Sequence, residues 1–269
     1  MVSVIIVNYN AGEDLGVALE ALRSSQGCEV IVVDNASTDD ASGAARSANP
    51  WVRWIQLEHN VGFGAANNIG AKAASGEIFL LLNPDARIRG SDLELVAGLC
   101  REDERVGALG FRQVDRRGHW QLSMGPRPTL ASELVRKVVQ DRLDGGAYAL
   151  GALIDRFLPR RTPMAWVAGS ALALKRTAYE RVEGFDERFF LYFEDIDFCL
   201  RLGRVVGPVV YEPRVTVTHV RGVSARSSPR RAREHYRRSQ ELFWSIYGQG
   251  RFGARLMRRY AQYRLDHEP

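Results

Sequence analysis

Over its first 82 residues this chain alternates short β-branched and aliphatic runs with segments of helical spacing. Val2–Val7, Glu29–Val33, Val52–Leu57 and Ile78–Leu82 have the strand character, and Glu13–Ser25, Asp39–Ala48 and Phe63–Ala74 fall between them. Strands separated by helix-length segments predict βαβ units, right-handed crossovers and a Rossmann-like, mostly parallel, doubly wound α/β sheet with helices on both faces. A hydrophobic content of 45% in 269 residues is ample for such a core. Cys28, Cys100 and Cys199 form no C-x-x-C pair, so neither a disulfide framework nor a zinc site is indicated and a reducing compartment is expected. No apolar stretch approaches the roughly 20 residues that span a bilayer, and Val2 enters a strand with no basic region before it. The expectation is a protein that is neither integral nor exported by a standard signal.

Open α/β sheets bind ligands at the carboxyl ends of their strands. Three strand ends carry polar residues here: Asn8-Tyr9-Asn10, Asp34-Asn35 and Asn83-Pro84-Asp85. Proline cannot continue a ladder, so the run Ile78–Leu82 stops there and delivers Asp85 to the rim. Asn-Pro-Asp is also an ordinary turn, and Asp34 is also a plausible cap before Ser37-Thr38-Asp39. Magnesium or manganese can be held by one carboxylate beside substrate phosphates, a role open to Asp85. Asp34 could accept from a base imide or a ribose hydroxyl. Gly62-Phe63-Gly64-Ala65-Ala66-Asn67 has Asn67 where a dinucleotide fingerprint has its third glycine, and it follows the third strand rather than the first. A Rossmann dehydrogenase is not expected.

Between Val106 and Pro163 turn signals interrupt two amphipathic segments, Leu130–Leu143 and Ala147–Leu158, which read as an insertion over the site. Strand character resumes over Ala165–Lys175, Asp195–Leu202 reads as a helix, and Val205–Tyr211 and Val215–Val220 read as strands. Three acids crowd into Glu194-Asp195-Ile196-Asp197 among aromatic and aliphatic residues, which is costly without a cation, a donor or a shared proton. They are also a conventional acidic helix start. His219 ends an apolar run and could complete a metal shell, although a lone histidine is more often structural. Trp166-Val-Ala-Gly169 reads as a buried strand whose glycine marks close approach to another group.

The order of these motifs resembles the family 2 glycosyltransferases of the GT-A fold, in particular the bacterial rhamnosyltransferase-like branch. The resemblance is carried by Val4–Asn10, Val33–Asp39, the block His59–Asn68 with Gly70, Leu82–Asp85, Gly169-Ser-Ala, Gly184–Phe190, Phe193–Asp197 and His219. It implies an inverting transferase that moves a sugar to a hydroxyl of a lipid-linked or polysaccharide acceptor in cell-envelope biosynthesis. The donor it implies is dTDP-L-rhamnose, the alternatives being UDP-galactofuranose, UDP-GlcNAc or UDP-glucose. A sugar-nucleotide-binding homologue without turnover is a competing reading, although such a protein has no need of Glu194-Asp195 and His219. The resemblance places Asn8, Tyr9, Asn10, Asp34, Asn35, Asn67, Asn83 and Gly169 at the nucleotide sugar, and Trp166 and Asp197 at the acceptor. Asp85 resembles the last acid of the family's D-x-D motif, with Asn83 where the first acid usually stands. His219 joins Asp85 at a Mg2+ or Mn2+ ion, and Asp195, beside Glu194, resembles the catalytic base.

The expected organisation is a transferase domain over 1–225, with a nucleotide-sugar half (1–105) and an acceptor half (106–225), followed by a helical extension over 226–269. From Arg221 to Arg264 twelve arginines face two glutamates, interleaved with Tyr236, Phe243, Trp244, Tyr247, Phe252, Tyr260 and Tyr263. This pattern suits two helices, broken near Gly248–Gly250, on an anionic membrane surface, which would place a cytoplasmic protein at the inner face of the plasma membrane beside a polyprenyl-diphosphate-linked acceptor. It equally suits a helical pair packed on the core. Nucleic-acid binding would leave the acidic rim without a use and is not expected.

Overall fold

The computed structural model describes residues 1–23, 25, 27–221, 229–248, 255–256, 259–260 and 262–263. Its first part follows the alternation in the sequence: β1 (Val2–Asn8), α1 (Glu13–Leu22), β2 (Cys28–Asp34), α2 (Asp40–Ala48), β3 (Arg53–Gln56), α3 (Phe63–Ala73) and β4 (Ile78–Leu82). These four strands are parallel in the order β3-β2-β1-β4, so the ends of β2, β1 and β4 are neighbours on one rim. Alternate residues of each strand enter different cores. Ile5, Val7, Ile31, Val33, Phe79 and Leu81 pack on one face, and Val4, Ile6, Val30, Val32, Leu80 and Leu82 on the other. Coverage of both faces explains why these strands read as unbroken apolar runs. Gly70 lets α3 lie close to the sheet, since a Cβ there would sit 2.6 Å from Ile5 Cγ2.

Beyond β4 come β5 (Ala86–Arg87), α4 (Asp92–Glu102), β6 (Ala108–Val114), β7 (Trp120–Gln121), β8 (Met124–Gly125), α5 (Leu130–Asp144) and α6 (Tyr148–Phe157). Then follow β9 (Thr162–Met164), β10 (Trp166–Val167), β11 (Ala171–Lys175), α7 (Arg176–Arg181), α8 (Glu194–Val205), β12 (Val209–His219) and α9 (Pro229–Tyr247). The sheet continues from β4 as β11-β6-β12-β5, and β11 runs antiparallel to both of its neighbours.

Three expected elements take a different form. Ala165–Lys175 divides into β10 and β11, because Ala168–Ser170 leaves the ladder and turns toward α8. The expected strands Val205–Tyr211 and Val215–Val220 are one strand, β12, whose register against β6 shifts between Glu212 and Thr216. Pro213 lies in that interval and has no N–H to donate, so the ladder gives way without ending. Val205 itself closes α8.

The aromatic residues of α9 do not all face solvent. Phe243 and Trp244 are buried, Phe243 packs on Phe193, and the Tyr247 hydroxyl donates to Asp197 Oδ1 at 2.6 Å. Tyr260 and Tyr263 are exposed, whereas Phe252 and the break at Gln249–Gly250 lie outside the described residues. Among the described residues no helix is long and apolar enough to cross a membrane.

Candidate active site

The end of β4 and the end of β12 meet because β5 pairs antiparallel with β12, with His219 opposite Ala86. Val220 N–H donates to the Asp85 carbonyl at 3.0 Å, and His219 Nε2 lies 3.2 Å from Asp85 Oδ1. Both side chains are largely buried. On the far side of the ring, His219 Nδ1 is 3.1 Å from Gln113 Oε1, and Gln113 Nε2 donates to Ser170 Oγ at 2.7 Å. With the amide so engaged, Nδ1 donates to Gln113 and Nε2 is directed at the Asp85 carboxylate. A ring nitrogen and a carboxylate oxygen at that distance are close enough to ligate one cation. Asn83 Oδ1, on the same rim, is buried without a hydrogen-bond partner. The described residues hold no cluster of three or more His, Cys, Asp or Glu, so this donor set fits a Mg2+ or Mn2+ ion whose remaining ligands are phosphate oxygens and water.

These residues open on a cavity of about 300 Å³ that is also lined by Tyr9, Asn35, Asn60 and Phe190. An adjoining cavity of about 500 Å³ is lined by Trp166, Ala168, Arg136, Tyr236, Glu194 and Asp195. The two share Tyr192 and Arg221. Arg221 Nη2 donates to the Leu122 carbonyl at 3.1 Å, and its carboxylate neighbour, Asp144, is 3.8 Å from Nη1. Burial lowers its pKa, an effect opposed by Asp144 and Asp85. It is thus a cation whose charge is only loosely matched, standing between the two cavities.

Asp195 occupies the first turn of α8. Tyr192 (φ 69°) and Phe193 (φ 64°) precede it in the left-handed region, a strained pair held because Phe193 is buried against Tyr236 and Phe243. Asp195 Oδ2 accepts from Gly169 N–H at 3.0 Å and Oδ1 from Ile196 N–H at 2.8 Å. Burial raises its pKa above the usual aspartate range, opposed by those two donors and by Arg136. Glu194 is raised well above its ordinary value, first by burial and then by the charge of Asp195, and its Oε2 has no partner. Burial thus acts on both acids, with Glu194 the more strongly raised and Asp195 the one that keeps two backbone N–H donors.

The residues expected at the nucleotide sugar divide into two groups. Tyr9, Asn35 and Asn83 line the smaller cavity, together with Asp85 and His219. Asn8 and Asp34 are buried beneath it and bind each other, Asn8 Nδ2 donating to Asp34 Oδ2 at 3.0 Å. Asp34 Oδ1 accepts from Ser37 N–H at 2.7 Å, and Asn10 Oδ1 accepts from Thr38 N–H at 2.7 Å, which ties the end of β1 to the loop after β2. Asn67 is buried and donates to the Phe63 carbonyl within α3. Gly169 contacts Asp195 rather than lining the smaller cavity. Trp166 lines the larger cavity, and Asp197 is buried on Arg201 and Tyr247. Tyr192, Arg136 and Arg221 were not singled out from the sequence as site residues. For Arg221 the available signal was its place two residues after His219; Arg136 gave none.

Two adjoining cavities, one beside Asp85 and His219 and one lined by Glu194 and Asp195, give room for two substrates side by side. A model for glycosyl transferase family 2 matches residues 3–158, and the chain belongs to that family. It is similar to the N-acetylglucosaminyl-diphospho-decaprenol L-rhamnosyltransferase of Mycobacterium tuberculosis, with 30% identity over 84% of this chain and 78% of that protein. The Escherichia coli K12 rhamnosyltransferase WbbL is 26% identical over 81% of this chain and 83% of its own length. Among solved structures, the Pyrobaculum calidifontis mannosyltransferase PcManGT with GDP-Man and Mn2+ superposes with a TM-score of 0.59 at 20% identity, covering 99% of this chain and 70% of that one. GalNAc-T7 with UDP, GalNAc and Mn2+ gives 0.65 at 16% identity, covering 99% and 54%. The fold is GT-A, and the protein is a glycosyltransferase.

Proposed function

We propose that the protein is an inverting transferase that moves L-rhamnose from dTDP-L-rhamnose to a hydroxyl of a polyprenyl-diphosphate-linked glycan at the cytoplasmic face of a membrane. The observation that carries the transfer is the contact between the two cavities at Tyr192 and Arg221, with Asp195 on one side and the Asp85–His219 pair on the other. The similarity to two rhamnosyltransferases, one of them acting on a lipid-linked acceptor, supports the choice of donor and acceptor.

In this mechanism the donor occupies the smaller cavity with its diphosphate toward Asp85 and His219, and the acceptor hydroxyl reaches Asp195 from the larger one. Asp195 accepts the hydroxyl proton as that oxygen bonds to the anomeric carbon and the bond from that carbon to the phosphate oxygen breaks. Attack from the face opposite the departing diphosphate inverts the centre. Gly169 and Ile196 N–H fix both carboxylate oxygens, and burial, which disfavours charge on Glu194, limits a second negative charge beside the base. Arg221 faces the negative charge that grows on the departing diphosphate. A Mg2+ or Mn2+ ion bound by Asp85 and His219 would add positive charge at the same place.

The test is calorimetric titration with dTDP-rhamnose and with UDP sugars, each with and without Mg2+ or Mn2+. Selective, metal-dependent binding of dTDP-rhamnose is expected. Selective binding of a UDP sugar would discard the rhamnosyl assignment, and failure to bind any donor would discard transfer itself.

A further inference from the structure

A third cavity of about 410 Å³ adjoins the larger one and shares Leu122, Arg136 and Trp166 with it. Its other walls are largely apolar, with Met124 of β8, Pro126 after it, Ala131, Val135 and Val139 of α5 and Ile154 of α6, the exceptions being Ser132 and Glu133, the latter paired with Arg136. The same two helices leave Leu134, Val138, Leu153 and Phe157 exposed, with Val135 at 63% and Phe157 at 76%. Apolar side chains left exposed at i and i+4 on each of these two helices, beside an apolar groove, suit an apolar partner. The junction between the polar and apolar cavities is marked by charge. The Arg136 guanidinium lines both cavities, donates to Glu133 through Nε and Nη2, and reaches the Tyr236 hydroxyl at 3.3 Å. Arg221 lines the larger cavity, its Nη2 3.4 Å from Gln140 Oε1, one turn along α5 from Arg136.

From Asp195 outward the surface therefore runs base, guanidinium groups, apolar groove, exposed apolar helices. An amphiphile that matches this order carries a sugar hydroxyl, then a diphosphate, then a hydrocarbon chain. We infer that the groove between α5 and Trp166 binds the first prenyl units of a polyisoprenoid diphosphate acceptor, with Arg136 at its diphosphate and the exposed α5–α6 face toward the rest of the chain. This inference rests on the transferase reading, because it takes the cavity at Asp195 for the acceptor. It differs from the expectation that the C-terminal aromatic and basic helices meet the lipid. Phe243 and Trp244 of α9 are committed to the core, whereas the apolar side chains of α5 and α6 are not.

The test compares binding of farnesyl diphosphate and inorganic diphosphate to the full chain, both titrated calorimetrically in the presence of dTDP and Mg2+. Burial of about two methylenes suffices for a tenfold gain, so farnesyl diphosphate is expected to bind at least tenfold more tightly. Val135→Asp places a carboxylate in the groove at an exposed position and is expected to abolish that preference, whereas Val135→Leu keeps it. Leu95→Asp, at an exposed site on α4 away from the groove, serves as the control for adsorption and is expected to keep the preference. Equal binding of the two ligands, a preference that survives Val135→Asp, or an equal loss in Leu95→Asp would overturn the inference. Donor titration of the same proteins reports separately on folding and on the transferase reading: intact donor binding with no farnesyl preference rejects the groove alone.

Discussion

Replacement of Asp195 by asparagine removes the proposed base with almost no change of shape. Loss of a positioned general base costs about 10²–10⁴ in rate, or about 3–5 kcal/mol of barrier. Because Asp195 lines the acceptor cavity and not the donor cavity, donor affinity should change by less than about twofold, which separates chemistry from binding. The variant also changes stability, in a direction that depends on pH. Each carboxylate oxygen takes one backbone N–H, from Gly169 and Ile196, and an amide can answer only one of them. The other N–H then faces an NH2 group, at a cost of about 1–3 kcal/mol. Against this, the pKa of Asp195 is raised by burial, so its ionisation destabilises the native protein. That penalty is absent below the unfolded-state pKa and grows as pH rises toward the folded value. Asp195→Asn should therefore be most destabilised relative to wild type in acid and recover part of the difference toward neutral pH. Single-turnover transfer from labelled donor gives the rate, calorimetry the donor Kd, and thermal unfolding from pH 4 to pH 8 the stability. In the wild type, transfer should fall on the acid side with an apparent pKa above the ordinary aspartate value of 3.8, and this limb should vanish in the variant. A turnover within tenfold of wild type, or an unchanged acid limb, refutes the assignment of Asp195 as base.

Glu194→Gln removes a charge that burial and Asp195 already disfavour, so it should lose less than about tenfold in turnover where Asp195→Asn loses at least about a hundredfold; parallel rate measurements check the ranking. Removal of divalent metal with EDTA should abolish transfer, with recovery on addition of Mg2+ or Mn2+, and His219→Ala should raise the metal concentration needed for that recovery. Gln113→Leu frees the His219 ring and should weaken apparent metal affinity by about 10–100-fold, which metal titration of donor binding would read. Gly62→Ala combines a left-handed φ of 92° with a Cβ 2.6 Å from the Phe190 carbonyl oxygen. It should lower stability by about 1–3 kcal/mol, measured as a drop in the denaturant midpoint at unchanged slope.

The parallel half of the sheet could be read from the chain because every signal there is local. β4 is one uninterrupted apolar run closed by a proline, and Asp39 supplies a cap that α2 uses, its side chain accepting from Ser42 N–H. The antiparallel β11 was not legible: Ala165–Lys175 reads as one strand until Gly169 is required to donate to Asp195, a residue 26 positions away. The polar strand ends show the same limit more sharply. Asn8, Asp34 and Asn35 all stand where a ligand is expected; Asn35 lines the smaller cavity, and Asn8 Nδ2 also donates to Asp34 Oδ2, whose Oδ1 accepts from Ser37 N–H in the loop after β2. Sequence places a polar group at a rim, but whether it meets a ligand or a neighbour depends on the loop that folds over it.

Charge and aromatic patterning are ambiguous for a related reason. In a chain with 37 basic residues and only three lysines, Arg136 and Arg221 do not stand out, and their weight comes from burial that α5 and the end of β12 create together. The aromatic stripe of α9 and the aliphatic stripe of α5 have the same helical spacing, because a helix facing a core and a helix facing lipid need the same periodicity. The surroundings decide between them. Phe193 and Asp197 give Phe243 and Tyr247 partners, whereas Leu134 and Val138 remain exposed next to a groove that begins at the guanidinium of Arg136. Hydrocarbon left uncovered beside a guanidinium and a carboxylate is the arrangement an amphiphilic acceptor requires, and it is the ground on which the α5–α6 face is proposed as the lipid contact.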